Sequence, residues 1–212
     1  MPPTAPMDHI WKLCSSYMDR PDLFYGNHKT ALNDGCAGEI DCSVFAQLIL
    51  WDIPYEKSVY NGGKINDFGP RFRRNIPKNI ACVGGASPRP YGYRASEMAM
   101  FFAGQGRLFE MGQDRPDWPT RLQPGDIAFE ADPTGQLSSS AIRYLNIIHV
   151  VVVLKYEPEY DRMWFVQAGG AHAGAEWRMR RSDGNSFVCN IATVHLKDQG
   201  AKWPVFARPA WQ

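Results

Sequence analysis

This sequence predicts an α+β fold, with N-terminal helices packed on a mostly antiparallel C-terminal sheet, and three observations lead there. Three segments of the first half repeat apolar residues at spacings of three and four, and five short β-branched or aromatic runs separated by turns fill the second half. Glycine (19) and proline (16) make up about a sixth of the 212 residues, which favours many turns over a helical bundle. A chain of this length buries a core as a single domain, 1–212, without help from disulfides. Its 44% apolar, 21% charged and 13% aromatic residues exclude a disordered, collagenous or coiled-coil chain. Lys plus Arg number 23 against 22 Asp plus Glu, so a net charge of +1 gives no overall footprint for nucleic acid or an anionic membrane.

The first helix is read from Ile10, Leu13, Cys14 and Tyr17, with Asp8 at its start and Pro21 as its stop. Residues 22–41 are rich in Gly, Asn and Asp and read as irregular chain. A second helix begins at Cys42, carries Phe45, Leu48 and Ile49 on one face, and ends before Pro54. Residues 54–93 lack periodicity and look like a surface excursion, part of an insertion over about 54–121 that also holds a short third helix with Met98, Phe101 and Phe102. Strands are expected over 126–130, 147–154, 163–168, 187–196 and 203–207.

The longest apolar run, Ile147 to Leu154, is interrupted by His149 and is too short to cross a bilayer. The first residues lack a basic patch followed by an apolar stretch, so no secretory signal is expected, and the chain is read as cytoplasmic or exported by a non-classical or phage-borne route. Cysteines 14, 36, 42, 82 and 189 are odd in number and match neither a zinc pattern nor a complete disulfide framework. No metal and no cofactor is therefore expected.

Chemistry concentrates at three residues. Cys42 opens a helix, where unpaired N–H groups and the macrodipole favour a thiolate. The structural alternative is a small buried residue. His149 sits in a strand apolar on both faces, where an imidazole is costly without a partner, and Gln167 is the single polar residue of the next strand. A hairpin folded symmetrically about Pro158 sets His149 directly opposite Gln167. The glutamine oxygen would then accept from Nδ1, leaving Nε2 to take a proton from a thiol, which completes a nucleophile, base and orienting group.

Asp41-Cys42-Ser43 at a helix start, Leu122-Gln-Pro-Gly-Asp-Ile-Ala-Phe129, His149-Val150 opening a strand, Phe165-Val-Gln-Ala168 and the closing Trp203-Pro-Val-Phe-Ala-Arg-Pro209 together resemble the NlpC-type cell-wall peptidases of the papain-like superfamily. The resemblance covers most of the chain in order, apart from residues 54–121. It implies a papain-like cysteine hydrolase that cleaves peptide bonds in peptidoglycan stem peptides, with a peptide or peptidoglycan fragment as its partner. Cys42 matches the nucleophile, His149 the base, Gln167 the third polar residue and Tyr25 the upstream tyrosine whose hydroxyl lies near the oxyanion. Asp41, Ser43 and His172 complete the set assigned to oxyanion or substrate contacts. Val44 and Val151 stand where that family usually has glycine, and Gln167 where it often has histidine.

His172 is also an alternative orienter, and His28 a candidate substrate contact close after Tyr25. The basic clusters Arg71-Phe-Arg-Arg74 and Trp177-Arg-Met-Arg-Arg181 read as solvated faces or as grips for carboxylates. Cys36, six residues before Cys42, reads first as an ordinary loop cysteine and second as a partner for Cys42 under oxidation. Two other function classes fit the same residues: a cysteine-dependent acyl or glutamyl transferase, and a non-catalytic binding module that keeps the papain-like shell.

Overall fold

The computed structural model describes residues 7–25, 38–63, 76, 94–110, 118–132, 144, 146–169, 188–199 and 202–211. Within them the chain forms α1 (Met7–Ser16), β1 (Phe24–Tyr25), β2 (Glu39–Ile40), α2 (Cys42–Leu50), α3 (Ala95–Gly104), β3 (Leu108–Glu110), β4 (Ile127–Ala131), β5 (Ile147–Glu157), β6 (Arg162–Ala168), β7 (Cys189–His195), α4 (Leu196–Gln199) and β8 (Val205–Ala207). Six strands pair in the order β3-β8-β4-β5-β6-β7, every neighbour antiparallel. The α+β class expected from the sequence is thus observed. Among the described residues no helix is long and apolar enough to cross a membrane.

Alternation along the strands gives the sheet two apolar faces. Val150, Val152 and Val166 point into the larger core, where Ile10 and Leu13 of α1, Phe45 and Leu48 of α2 and Met98 and Phe102 of α3 cover them. Val151, Val153, Met163 and Phe165 point the other way, into a smaller core closed by Trp203 and Phe206. β5 is eleven residues of mostly β-branched chain in the middle of the sheet, and burial on both faces explains its lack of polar alternation.

Several boundaries move for identifiable reasons. α1 ends at Ser16, before Pro21, because the chain turns at Asp19 with φ of 58°. β1 and β2 form a parallel two-stranded ribbon in chain read as irregular, and Gly38 makes it possible: φ is 79°, and a Cβ there would lie 2.5 Å from the Asp22 carbonyl oxygen. The described part of 54–121 takes part in the core, since Tyr55, Ile76, Met98, Ala99 and Phe102 are buried and β3 pairs with β8 at the sheet edge. The rest of the surface excursion read over 54–93 lies outside the described residues.

The β5–β6 hairpin is not centred on Pro158. Glu157 pairs with Arg162 across a turn in which Pro158–Tyr160 make a 3-10 turn and Asp161 takes φ of 49°. A bulge between Val153 and Lys155 then shifts the register, so that Val152 pairs with Val166.

Candidate active site

Cys42 owes its position to its neighbours. Asp41 caps α2: its backbone is extended (φ −113°, ψ 178°) and its carboxylate accepts from the Val44 N–H at 2.8 Å and the Ser43 hydroxyl at 2.7 Å. This holds the first turn rigid and leaves the Cys42 side chain at the mouth of the helix. Both Asp41 and Ser43 line the site, but their polar groups serve the cap.

The Val150 N–H, the Tyr25 hydroxyl and the Ser43 N–H are directed at the Cys42 sulfur and favour charge on it. They are outweighed. Burial, then the Asp41 carboxylate, push the thiol up to about 12. A helix N-terminus alone therefore does not produce the thiolate expected there; Cys42 is 6% exposed and loses more by desolvation than the helix returns. Tyr25 faces the sulfur with its hydroxyl while its ring stays half exposed, and its oxygen accepts the Cys42 backbone N–H. Burial, with Cys42 and Asp41 nearby, raises its phenol as well.

The second half of the site is a row of polar side chains across β5, β6 and β7. His149 Nε2 lies 2.7 Å from Gln167 Oε1; an amide oxygen only accepts, so Nε2 carries a proton and donates it. Nδ1 is then the nitrogen that can exchange a proton with a thiol, the reverse of the expected assignment. The pairing is nevertheless the one expected, by a different register. Continuing from Val152↔Val166, Gln167 is level with Val151, two residues from His149, and a slip of two leaves both side chains on one face within diagonal reach. Gln167 Nε2 donates to Asn190 Oδ1 at 3.4 Å, and Asn190 Nδ2 to the Val188 carbonyl oxygen at 3.2 Å. Asn190 was missed in the sequence, although it carries the signal that revealed Gln167: a lone amide in an apolar strand. Gly169 packs on the Gln167 amide, where a Cβ would approach within 3.2 Å.

The two halves meet at the His149–Val150 peptide, whose N–H points to the sulfur. Beside them lies a cleft of about 390 Å³ lined by Tyr25, Asp41, Cys42, Ser43, Ile147 and Ile148, with Arg94, Ala95 and Ser96 from the start of α3. Ile148 is 57% exposed, which makes one wall apolar, while Arg94 brings a cation to the other. These α3 residues were also missed, because nothing local to residues 94–96 announces that the fold turns them toward Cys42. His28, Cys36, His172 and both basic clusters lie outside the described residues. No group of three His, Cys, Asp or Glu side chains gathers to hold a metal among those described. Comparisons with protein-family models, with curated proteins and with solved structures find no match to this chain.

Proposed function

We propose that this protein is a papain-like cysteine hydrolase that cleaves an amide bond, with peptidoglycan stem peptides as the substrate class suggested by the resemblance to the NlpC-type peptidases. The observation that carries the reading is the approach of Cys42, at the mouth of a capped helix, to the Val150 N–H of β5, next to His149, which is held through Nε2 by Gln167 at 2.7 Å. Substrate enters the cleft with its apolar part against Ile148 and any carboxylate toward Arg94. Nδ1 of His149 takes the Cys42 proton, the sulfur adds to the carbonyl carbon, and the imidazolium gives that proton to the departing amine as the C–N bond breaks. Water then adds to the thioester carbonyl, loses a proton to Nδ1, and the thiol leaves. The Cys42 N–H and the Tyr25 hydroxyl are the donors for the oxyanion, which means the Tyr25 oxygen must yield that N–H to the substrate.

The test is digestion of purified peptidoglycan by the wild-type chain and by Cys42→Ala, with folding checked by circular dichroism. New amino termini from the wild type alone support the proposal; equal release by both removes it. One observation favours the non-catalytic module instead: the buried thiol is pushed up to about 12. That reading requires no selective alkylation of Cys42 near neutral pH, and such labelling would eliminate it.

A further inference from the structure

We propose that the start of α3 is an anion-binding subsite of the cleft beside Cys42, built from the Arg94 guanidinium, the Ser96 hydroxyl and the N–H groups of the first helical turn, and that it takes a carboxylate carried by the substrate. The substrate class this names, an amide with a free carboxylate close to the scissile bond, rests on the cysteine-hydrolase reading; the subsite itself does not. Two helices open onto this cleft, and their N-termini are finished differently. At α2 the Asp41 carboxylate caps the helix, accepting the Val44 N–H and the Ser43 hydroxyl. At α3 the same position holds Arg94, whose guanidinium donates and never accepts, so it cannot meet an N–H group as Asp41 does. Glu97 turns back to accept the Arg94 N–H at 2.8 Å, while the Ala95 and Ser96 N–H groups take no hydrogen bond among the described residues.

An independent observation points to a ligand there. Ser96 is 8% exposed, yet its hydroxyl makes no hydrogen bond among the described residues. A hydroxyl so buried ordinarily has a partner, and the opening that Ser96 lines is the cleft. Arg94 is exposed and forms no ion pair among the described residues, unlike Arg20 with Glu56 or Arg208 with Asp126. One wall thus offers a planar cation, a hydroxyl donor and the positive end of a ten-residue helix, which together match what a carboxylate needs. The Glu97 carboxylate is not among the groups that line the cleft. Asp41 is, on the α2 side, and its charge drives a substrate anion toward α3. A cleft of about 390 Å³ admits about two residues of peptide, so a carboxylate held at α3 belongs close to the carbonyl that Cys42 attacks.

The experiment compares alkylation of Cys42 by N-iodoacetylglycine with alkylation by its neutral twin, N-iodoacetylglycinamide, read at that residue by mass spectrometry in wild type, Arg94→Gln, Arg94→Lys and Ser96→Ala. Both reagents meet the same sulfur, so the ratio of their rates cancels the ionisation of the thiol and requires no turnover. Relative to the same ratio for a free cysteine peptide, the acid should be favoured about fivefold in wild type and about twofold in Ser96→Ala. Arg94→Gln should erase the preference and Arg94→Lys keep part of it. A wild-type ratio no higher than that of the free peptide overturns the proposal, and so does a preference that Arg94→Gln leaves undiminished. Arg94 is exposed, and its backbone bonds with Glu97 and Met98 do not involve its side chain, so Arg94→Gln keeps the helix. In turnover, KM for an amide substrate with a free carboxylate should lie about fivefold below that of its carboxamide counterpart at similar kcat, with the difference lost in Arg94→Gln. Equal KM values overturn the substrate class. Absence of turnover together with a raised alkylation ratio would defeat the hydrolase reading and leave the subsite standing.

Discussion

A thiol buried against a carboxylate becomes a nucleophile only when a cation forms beside it, so in the proposed mechanism the reactivity of Cys42 depends on His149. With the thiol pushed up to about 12, about one molecule in ten thousand would carry a thiolate at pH 8 without that help. Iodoacetamide should therefore label wild-type Cys42 selectively below pH 8. In His149→Ala that labelling should vanish, its rate then climbing about tenfold per pH unit to beyond pH 10. Labelling of His149→Ala at the wild-type rate would remove the ring from the mechanism. Cys14 and Cys189 should stay unlabelled in the native protein, being fully buried with their thiols raised by desolvation. In the proposed mechanism Gln167 orients the base without being it, so Gln167→Ala should cost less of kcat than His149→Ala; equal losses would contradict that division of roles. For Tyr25→Phe, loss of one oxyanion donor should lower kcat about a hundredfold with KM little changed, and a pure KM effect would place the hydroxyl in substrate binding only.

At the scale of elements, the mouth of α2 carries two opposed demands. Asp41 stabilises the helix as its cap, yet its charge stands second after burial among the causes that raise the Cys42 thiol. Asp41→Asn separates these effects, because asparagine caps about as well and bears no charge. Alkylation of that variant at pH 8 should run several-fold faster than wild type at nearly unchanged thermal stability. Asp41→Ala should instead lose about 1 kcal/mol, measured by chemical denaturation, by leaving the Val44 N–H and Ser43 hydroxyl unmet. A slower Asp41→Asn would reverse the sign argued here. The helix carrying Cys42 was legible because the apolar stripe Phe45, Leu48 and Ile49 at helical spacing runs up to a stop at Pro54, and the long strand because few other structures absorb so many consecutive β-branched residues. Register was less legible. Pro158 suggested the centre of a hairpin, whereas the left-handed Asp161 and the bulge after Val153 set the pairing, and neither leaves a periodic trace. The His149–Gln167 contact survived that error because the slip was two residues; a slip of one would have put the two side chains on opposite faces. Arg94, Ser96 and Asn190 acquire their meaning from pairings and packing between distant segments, which composition and local spacing do not encode.

Across the whole molecule, the turn before β4 acts as a clamp on the end of the chain, remote in role from the sulfur. Gly125 has φ of 85°, and a Cβ there would lie 2.7 Å from Nε1 of Trp211, whose N–H donates to the Gly125 carbonyl oxygen at 2.9 Å. Next to it the buried Asp126 receives Arg208 through two bonds, from Nε at 2.9 Å and Nη2 at 2.8 Å, while Nη2 also donates to the Arg121 carbonyl oxygen. Burial raises the Asp126 carboxyl even though Arg208 and the Gln123 N–H favour its charge, so the desolvation cost is real and is met only while the pair is intact. Arg208→Ala removes one partner and strands the other, and should cost about 3 kcal/mol, equivalent to a fall in Tm of roughly 6–12 °C for a chain of this size. The loss should appear in chemical denaturation as a lower midpoint at constant slope. Well below the new Tm, Cys42 alkylation and its pH profile should match wild type, since the Asp41 cap, the Val150 N–H and the His149–Gln167 bond come from α2, β5 and β6 and involve neither Arg208 nor Asp126. If instead the pH profile of Cys42 shifts in the cold, folded variant, the clamp and the site share one cooperative unit. The order of Pro124, Gly125 and Asp126 before the strand would then have to be explained by positioning of the site as well as by closure of the fold.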